Sequence, residues 1–333
     1  MNKKRAFITG ISGQDGSWLA ELLLEKDYDV WGIIRRHSVS ENQDSRIAHI
    51  SGLINLEYGD LLDISSLEKV IKSSQPDEIY SLASQSHVKA GGDIPIYTVQ
   101  SNAIGITNLL ETYRKFAPNA RFIQASSSEM FGNCYDDDGF QRETTPMHPV
   151  SVYGCTKLFG YSMTRYYRRA YNLHACNSVC FNHEGSRRGA NFVTQKIVKG
   201  AVEISLGLSK KLVLGNLNAS RDWSDARDMV RAMNMIINHK EADDFVVASG
   251  ETHSIEEFCN IVFEKLGMNY KDYVEIDPKF YRAEELKMLK GDSTKIRKTL
   301  GWRPEYNFTQ LIDSMIESMQ NKLSKGILTC QIQ

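Results

Sequence analysis

The sequence predicts a doubly wound α/β fold, in which helices cover both faces of a parallel sheet, with a smaller and mostly helical C-terminal domain. In the first half of the chain, short apolar runs alternate with amphipathic stretches, as expected for successive βαβ units. Gly10, Gly13 and Gly16 follow the first apolar run, where dinucleotide-binding sheets of the Rossmann type place a phosphate loop. The 333 residues are enough for two domains of roughly 150 residues each.

Each element of the first half follows from its composition and periodicity. Strands are predicted where short runs are rich in β-branched and aromatic residues, at 5–9, 29–34, 54–59, 78–82, 121–126 and 174–181. Helices with one apolar face are predicted at 17–26, 64–73, 103–116 and 152–171. In such a sheet, ligands bind beyond the carboxyl ends of the strands.

After residue 184 the alternation is less regular. A helix is predicted at 192–206, a short strand at 212–214, and at 244–248 a strand that returns to the sheet. Ser254 and Glu257 form a capping-box pattern, which predicts a helix that ends at Gly267. We therefore expect a dinucleotide-binding domain at 1–184, with a returning segment near 220–250, and a smaller domain at 185–333.

Composition and charge argue against several classes of protein. The net charge of −1 is unlike that of a general nucleic-acid-binding protein, and no apolar run is long enough for a membrane span. The six cysteines include no CxxC pair, which predicts reduced thiols in a cytoplasmic protein. Cys176 and Cys180 lie about 13 Å apart in a predicted strand, so we interpret them as core thiols and expect no metal site.

The end of the second predicted strand indicates which dinucleotide is bound. The spacing GxxGxxG is weak alone, since any tight turn favours glycine, but its position favours a pyrophosphate site at the helix N-terminus. No acidic residue is available to hold the ribose hydroxyls of NAD. Arg35 and Arg36 stand there instead and suit the 2′-phosphate of NADP. A solvated charged edge would explain the arginines but not the missing acid.

A tyrosine and a lysine stand four residues apart at the start of the long aromatic helix. Tyr153 and Lys157 therefore share a helix face, where the ammonium can stabilise the phenolate and lower the pKa of the tyrosine. Such a base can take a proton from a sugar hydroxyl while hydride leaves for nicotinamide. The pattern is common by chance, but here it follows the fifth strand of a chain that has the glycine loop.

Three serines and a glutamate end the fifth predicted strand. A serine there can hydrogen-bond the reacting oxygen; Ser127 is preferred, and Ser126 and Ser128 compete with it. Glu129 is the discriminating residue, because a simple reductase needs no carboxylate here, whereas removal of a proton next to a ketone does. The alternative is that the four residues merely cap a turn or helix.

Together these residues resemble the extended short-chain dehydrogenases that act on nucleotide sugars. Longer strings make the chain similar to the GDP-mannose 4,6-dehydratase family along nearly its whole length. They include Ser84-Gln85-Ser86-His87-Val88, Phe181-Asn182-His183-Glu184, Arg187-Arg188-Gly189, Leu214-Gly215-Asn216, Arg221-Asp222-Trp223, and Tyr281-Arg282 with Glu285.

The resemblance implies a dehydration of a GDP-sugar without net redox change. Tyr153, assisted by Lys157, would take the proton of the 4-hydroxyl while NADP accepts hydride from carbon 4. Glu129 matches the family's base for the proton on carbon 5, and Ser127 stands where the family has threonine. Water would leave from carbon 6, and the hydride would return there.

Residue patterns and resemblance together give the expected binding residues. The expected cofactor contacts are Gly10, Gly13, Gln14, Asp15, Gly16, Arg35, Arg36, Asp60, Leu61, Leu82, Ser84, Tyr153, Lys157, His183 and Arg188. The expected GDP-sugar contacts are Ser86, Ser127, Glu129, Asn182, Val193, Lys196, Leu214, Asn216, Arg221, Arg282 and Glu285. A loop cap is the alternative for Asp60, and a surface ion pair to Asp222 or Glu285 for each of the two arginines.

Departures from the family pattern leave the sugar open. Val150 and Val152 replace an arginine and a proline near the sugar end of the site. GDP-mannose is one expected substrate and GDP-D-glycero-D-manno-heptose the alternative; a reductase or 4-epimerase is disfavoured by Glu129. The family also implies a homo-oligomer, dimer or tetramer, with Ser38 and Arg46 at a subunit interface.

Overall fold

The structure, a computed structural model, describes residues 3–36, 45–281 and 284–331; Ser38 and Arg282 lie outside this range. The strands are β1 Arg5–Thr9, β2 Asp29–Ile34, β3 Asn55–Tyr58, β4 Glu78–Ser81, β5 Arg121–Ser127, β6 Ala175–Cys180, β7 Asn182–Glu184, β8 Leu212–Leu214, β9 Ser220–Arg221, β10 Trp223–Asp225, β11 Asp244–Val247, β12 His253–Ser254, β13 Val274–Ile276 and β14 Met288–Leu289. The helices are α1 Gln14–Glu25, α2 Ile64–Ser74, α3 Val88–Asp93, α4 Pro95–Val99, α5 Gly105–Phe116, α6 Val152–Ala170, α7 Val193–Ser205, α8 Ala226–Ile237, α9 Ile255–Lys265, α10 Thr294–Leu300 and α11 Phe308–Gln331.

The main sheet confirms the predicted doubly wound α/β class. In the described part of the chain it has seven parallel strands in the order β3-β2-β1-β4-β5-β6-β11. The first six follow the order that dinucleotide-binding sheets use, with the reversal between β1 and β4. The predicted returning strand is also confirmed, since β11 pairs with β6 and Asp244 lies opposite Asn177.

Successive residues of β1 show that both faces of the sheet are buried. Ala6 and Ile8 belong to a core cluster that contains residues of α1 and α8, whereas Phe7 belongs to a second cluster with residues of α2 and α5. This alternation is expected because neighbouring side chains of a strand point to opposite faces. Cys176 and Cys180 are buried in the first cluster, as predicted for core thiols.

A separate core lies in the C-terminal half. Buried residues of α7, α9 and α11 pack together around Trp223, and the N-cap Ser254 accepts a hydrogen bond from the Glu257 backbone, as the capping box predicts. This cluster supports a second folding unit, although the boundaries 1–184 and 185–333 remain predictions. Among the described helices, none combines the length and the apolar character required to cross a bilayer.

Several elements differ from the sequence-based prediction. Helix α1 begins at Gln14 rather than residue 17, because the glycine loop turns directly into it. The helix predicted at 103–116 begins at Gly105 and follows a π-helical turn, Gln100–Ile104. The short helices α3 and α4 were not predicted, since two adjacent glycines and a proline interrupt their pattern. Helix α8 was also missed, and nine of its twelve residues are buried.

Candidate active site

One large cleft lies at the carboxyl ends of β1, β2, β4, β5 and β6. Its volume is about 1350 Å³, more than the roughly 300–1,000 Å³ of a typical small-molecule pocket, so it has room for two ligands. Of the residues predicted to bind or react, all within the described range line this cleft except Arg36. Arg35 faces the cleft and Arg36 does not, since successive side chains of an extended segment point in opposite directions.

The glycine loop after β1 is built for close approach of a ligand to the backbone. A Cβ on Gly10 would lie 2.9 Å from backbone atoms of Ala83, and one on Gly16 would lie 2.2 Å from the Gly10 carbonyl oxygen. Gly10 also has φ +72°, which disfavours other residues. Because Gly13, the N-cap of α1, has no side chain, the first-turn N–H groups remain for an anion. These features fit a pyrophosphate.

Asp15 and His183 form a pair beneath this loop. His183 Nε2 lies 2.9 Å from a carboxylate oxygen of Asp15, and the side chains are 14% and 22% exposed. Burial alone would raise the pKa of Asp15, but His183 and a hydrogen bond from Gln14 lower it to about 2. Burial would lower the pKa of His183, but Asp15 raises it above its usual value. The pair connects the phosphate loop to β7.

The end of β2 provides a second anion-binding feature. Arg35 Nη1 donates a 2.5 Å hydrogen bond to the hydroxyl of Tyr97, which also lines the cleft. Asp60, at the next strand end, accepts a 2.9 Å bond from the Leu62 backbone while lining the cleft. The Asp60 carboxylate therefore caps the loop, as the alternative interpretation predicts. A contact between Asp60 and the cofactor would be made in addition to this bond.

Tyr153 and Lys157 lie on α6 at the centre of the cleft. Both are buried, and Lys157 Nζ is 5.6 Å from the centroid of the Tyr153 ring and donates a 2.8 Å bond to the Ala125 carbonyl. Burial lowers the pKa of Lys157 to about 8. The expected lowering of the pKa of Tyr153 is wrong for this structure: burial raises it, and a hydrogen bond from Ser127 opposes the rise only in part.

Two of the three candidate serines, Ser126 and Ser127, differ in the direction of their hydroxyl groups. Ser126 donates a 3.0 Å bond to Asn177 within the sheet, so its hydroxyl is engaged away from Tyr153. Ser127 is the serine that hydrogen-bonds Tyr153, and its Oγ also accepts from the Glu129 backbone at 3.2 Å. The cap interpretation and the catalytic interpretation of Ser127 are therefore compatible.

Ser151, the N-cap residue of α6, holds Glu129 next to this helix. Ser151 Oγ accepts a 3.0 Å bond from the Gly154 backbone and donates a 3.4 Å bond to Glu129 Oε2. Gly154 permits this proximity, because a Cβ there would lie 2.8 Å from the Glu129 carbonyl oxygen. Glu129 is 6% exposed and lines the cleft. A buried carboxylate therefore stands beside the tyrosine, lysine and serine.

The other end of the cleft contains the residues expected to bind the sugar nucleotide. Arg221 is buried rather than on the surface, and its Nη1 donates to the carbonyls of Ser220 and Leu286 at 2.8 and 3.0 Å. Asp222 instead accepts bonds from Ser249 and from neighbouring backbone groups. Asn182 Oδ1 is buried and, among the described residues, has no hydrogen-bond partner, as expected of a ligand contact.

Sequence reasoning missed several residues of this site. Tyr97, Arg46 and Phe280 line the cleft, and Asn102 bonds both the backbone of Gln85 and the hydroxyl of Thr156. The family resemblance places Arg46 only at a subunit interface. In this chain it donates to the Ser12 and Arg187 carbonyls.

Fold and site together define a class of protein. A phosphate loop after β1, a serine at the end of β5 and a Tyr/Lys pair on the next helix are the marks of an extended short-chain dehydrogenase/reductase. The solved structure of dTDP-glucose 4,6-dehydratase from Bacillus anthracis, in complex with NAD, shares this fold. Its TM-score is 0.83 at 21% identity, over 96% of this chain and 98% of that chain.

Sequence comparison places the chain within that class. The family model described as GDP-mannose 4,6 dehydratase matches residues 7–315. The chain is 46% identical over 327 residues to GDP-mannose 4,6 dehydratase 2 of Arabidopsis thaliana, covering 95% of this chain and 86% of that protein. It is 41% identical over 345 residues to GDP-mannose 4,6 dehydratase of Homo sapiens, covering 96% and 92%. The chain belongs to the GDP-mannose 4,6-dehydratase family, which confirms the resemblance.

Proposed function

We propose that this chain dehydrates GDP-mannose to GDP-4-keto-6-deoxymannose, acting as an NADP-dependent hydro-lyase. The observation that carries the proposal is the buried carboxylate of Glu129, held by Ser151 beside Tyr153, Lys157 and Ser127 in a family member. The substrate class is a GDP-sugar, and the relatives compared above are named for GDP-mannose. The heptose alternative has no support among them.

The residues divide the chemistry into two proton transfers. Tyr153 receives the proton of the 4-hydroxyl, and Ser127 hydrogen-bonds the oxygen of that hydroxyl. The phenol and the serine together orient the reacting oxygen. Lys157 supplies positive charge that stabilises the phenolate against burial. This step requires Tyr153 to lose the proton that burial makes it retain, and the positive charges of Lys157 and Arg188 favour that loss.

Glu129 acts in the second transfer. Once carbon 4 is a ketone, the proton on carbon 5 becomes acidic and the carboxylate removes it. The hydroxyl on carbon 6 then leaves as water and takes the proton that Glu129 has removed from carbon 5. Ser151 keeps the carboxylate oriented through both events. When hydride returns to carbon 6, carbon 5 takes up a proton, and the proton that Tyr153 received from the 4-hydroxyl balances this step.

The residues present fit NADP at the other end of the cleft. The glycine loop would hold the pyrophosphate, Arg35 the 2′-phosphate, and Lys157 with His183 the nicotinamide half. When bound, the cofactor accepts hydride from carbon 4 and returns it to carbon 6. We extend the proposal to a division of labour in which residues 1–184 bind NADP and residues 185–333 bind the GDP-sugar.

One experiment tests the reaction. Purified protein with NADP⁺ and GDP-mannose carrying deuterium on carbon 4 should, without added reductant, give a 4-keto-6-deoxy product with deuterium on carbon 6 and no net NADPH. Parallel incubation with GDP-D-glycero-D-manno-heptose tests the alternative sugar. Product formation that consumes NADPH would overturn the dehydratase proposal.

The homo-oligomer and the cytoplasmic location are also proposals. Exposed apolar side chains on and near α4 and α6 support self-association, among them Ile96 at 71% exposure and Phe159 at 40%. Light scattering of the purified protein tests the assembly. A monomer at micromolar concentration would contradict it.

A further inference from the structure

Three lysine side chains surround one aromatic ring at the sugar-nucleotide end of the cleft. Phe280 ends the 3₁₀ helix Pro278–Phe280, and the ammonium groups of Lys196, Lys279 and Lys89 lie 4.3, 5.0 and 5.5 Å from its ring centroid. Phe280, Lys89 and Lys196 line the cleft. We call these four residues the Phe280 cluster.

The Phe280 cluster joins the two walls of the cleft. Lys89 lies on α3, directly after the cofactor-binding sheet edge, and its Nζ donates a 3.3 Å bond to the backbone carbonyl of Lys279. Phe280 packs on the loop after β8, where a Cβ on Gly215 would lie 3.1 Å from it. A second contact across the same gap joins His87 Nε2 and the Asn191 carbonyl at 3.3 Å.

The cluster carries more positive charge than its surroundings neutralise. Lys279 pairs with Asp277 at 2.6 Å. Within residues 3–36, 45–281 and 284–331, no carboxylate forms a salt bridge with Lys89 or Lys196. Burial, and then the ammonium groups of Lys279 and Lys89, lower the pKa of Lys196. A single phenyl ring attracts a cation only weakly, so the surplus charge favours an anionic ligand.

We propose that the Phe280 cluster binds the diphosphate of the GDP-sugar, and that Lys89 contacts it from the cofactor-side wall. Lys89 uses one N–H for the Lys279 carbonyl, so two remain for phosphate oxygens. Lys196 is already an expected substrate contact, and Lys89 is the additional one; Lys279 does not line the cleft and pairs with Asp277, so it contributes charge but no contact. The inference rests on the proposed function, because it assumes that a GDP-sugar occupies this end of the cleft.

Calorimetric titration with GDP, on protein saturated with NADP⁺, tests the assignment. We expect Lys89→Met to raise the Kd for GDP about tenfold and Lys89→Arg to change it by less than about threefold. Lys290→Met is the matched control, since the Lys290 ammonium lies 4.2 Å from the Phe140 ring and neither residue lines the cleft. It should bind GDP like the unmodified protein, and NADP⁺ affinity should be equal in all variants.

Ionic strength separates a charge contact from a structural one. The deficit of Lys89→Met should shrink as salt increases, because screening weakens the contact in the unmodified protein. Normal GDP affinity in Lys89→Met, a salt-independent deficit, or a loss confined to NADP⁺ would overturn the inference. If the unmodified protein itself does not bind GDP, the proposed function fails instead.

Discussion

His183 places both of its ring nitrogens against acceptors, with Nε2 2.9 Å from the Asp15 carboxylate and Nδ1 2.7 Å from the Phe181 carbonyl oxygen. Neither partner can donate a proton when Asp15 is ionised, so both ring nitrogens must carry one. At a pH below the raised pKa of His183, the pair is therefore an imidazolium next to a carboxylate. It is neutral overall and lies beside the loop that is expected to hold a pyrophosphate.

The stability of the protein should reflect this pair in a defined pH window. The pKa of Asp15 is lowered from 3.8 to about 2, so its contribution is present above 3.8 and is lost as pH falls through 2. The pKa of His183 is raised above 6.5, so its contribution is present below 6.5 and is lost as pH rises through the raised value. Asp15→Asn should therefore cost about 2 kcal/mol between roughly pH 4 and 6.5 and less on either side.

Urea denaturation of the original protein and Asp15→Asn at a series of pH values measures this difference. His183→Asn alone and the double variant complete a cycle that isolates the coupling of the two side chains. A stability difference that does not vary with pH would show that the carboxylate acts without the imidazolium.

Glu129→Gln should separate oxidation of the sugar from loss of water. The amide can still accept the bond from Ser151, but it cannot remove the proton on carbon 5, so turnover should fall about 100- to 10,000-fold. A single-turnover burst of reduced nicotinamide absorbance should survive in this variant. Tyr153→Phe should lose both the burst and turnover. Turnover near that of the original protein in Glu129→Gln would remove the glutamate from the mechanism.

Gly16→Ala should damage the phosphate loop. The added Cβ would lie 2.2 Å from the Gly10 carbonyl oxygen, and relief of that clash should cost about 1–3 kcal/mol and weaken NADP⁺ binding. Gly52→Ala is the control, because a Cβ there meets nothing within 4 Å and no positive φ is involved. Thermal unfolding and NADP⁺ titration measure both effects. Equal behaviour of the two variants would contradict the packing argument.

Arg35→Gln should change the choice of dinucleotide. Loss of a guanidinium at the 2′-phosphate should raise the Kd for NADP⁺ about 10- to 100-fold and leave NAD⁺ nearly unchanged. Fluorescence titration with both cofactors measures the ratio. Arg36→Gln should have a smaller effect, since Arg36 does not line the cleft. Equal losses for NADP⁺ and NAD⁺ in Arg35→Gln would assign the arginine to the pyrophosphate or to folding.

The main sheet and the central chemistry were predictable because local patterns specify them. Strand periodicity located β1 to β6 to within about two residues. The i, i+4 spacing of Tyr153 and Lys157 places both side chains on one face of a helix. The sequence favoured Ser127 but could not exclude Ser126 or Ser128. The choice depends on whether each hydroxyl turns into the sheet, as Ser126 does, or towards the tyrosine, as Ser127 does.

Residues brought to the cleft by tertiary packing had no local signal. Tyr97 lines the cleft and Asn102 holds the backbone of Gln85 behind it. They lie on a short helix and a π-helical turn near Gly91, Gly92 and Pro95, which interrupt the helical pattern. Lys89 meets the Lys279 carbonyl only because the two walls of the cleft close on each other. Contacts between segments so distant in sequence follow from the fold and not from spacing.

Because β11 is the edge strand of the main sheet, the sheet can finish folding only late in translation. Its partner β6 ends at Cys180, yet β11 begins only at Asp244, after the chain has supplied α7 and α8. A nascent chain released as far as β6 would expose an unpaired strand edge, which is prone to association with other chains. Translation of the C-terminal half is therefore needed to complete the nucleotide-binding sheet, and truncation before residue 244 should yield an aggregating product rather than an independent N-terminal domain.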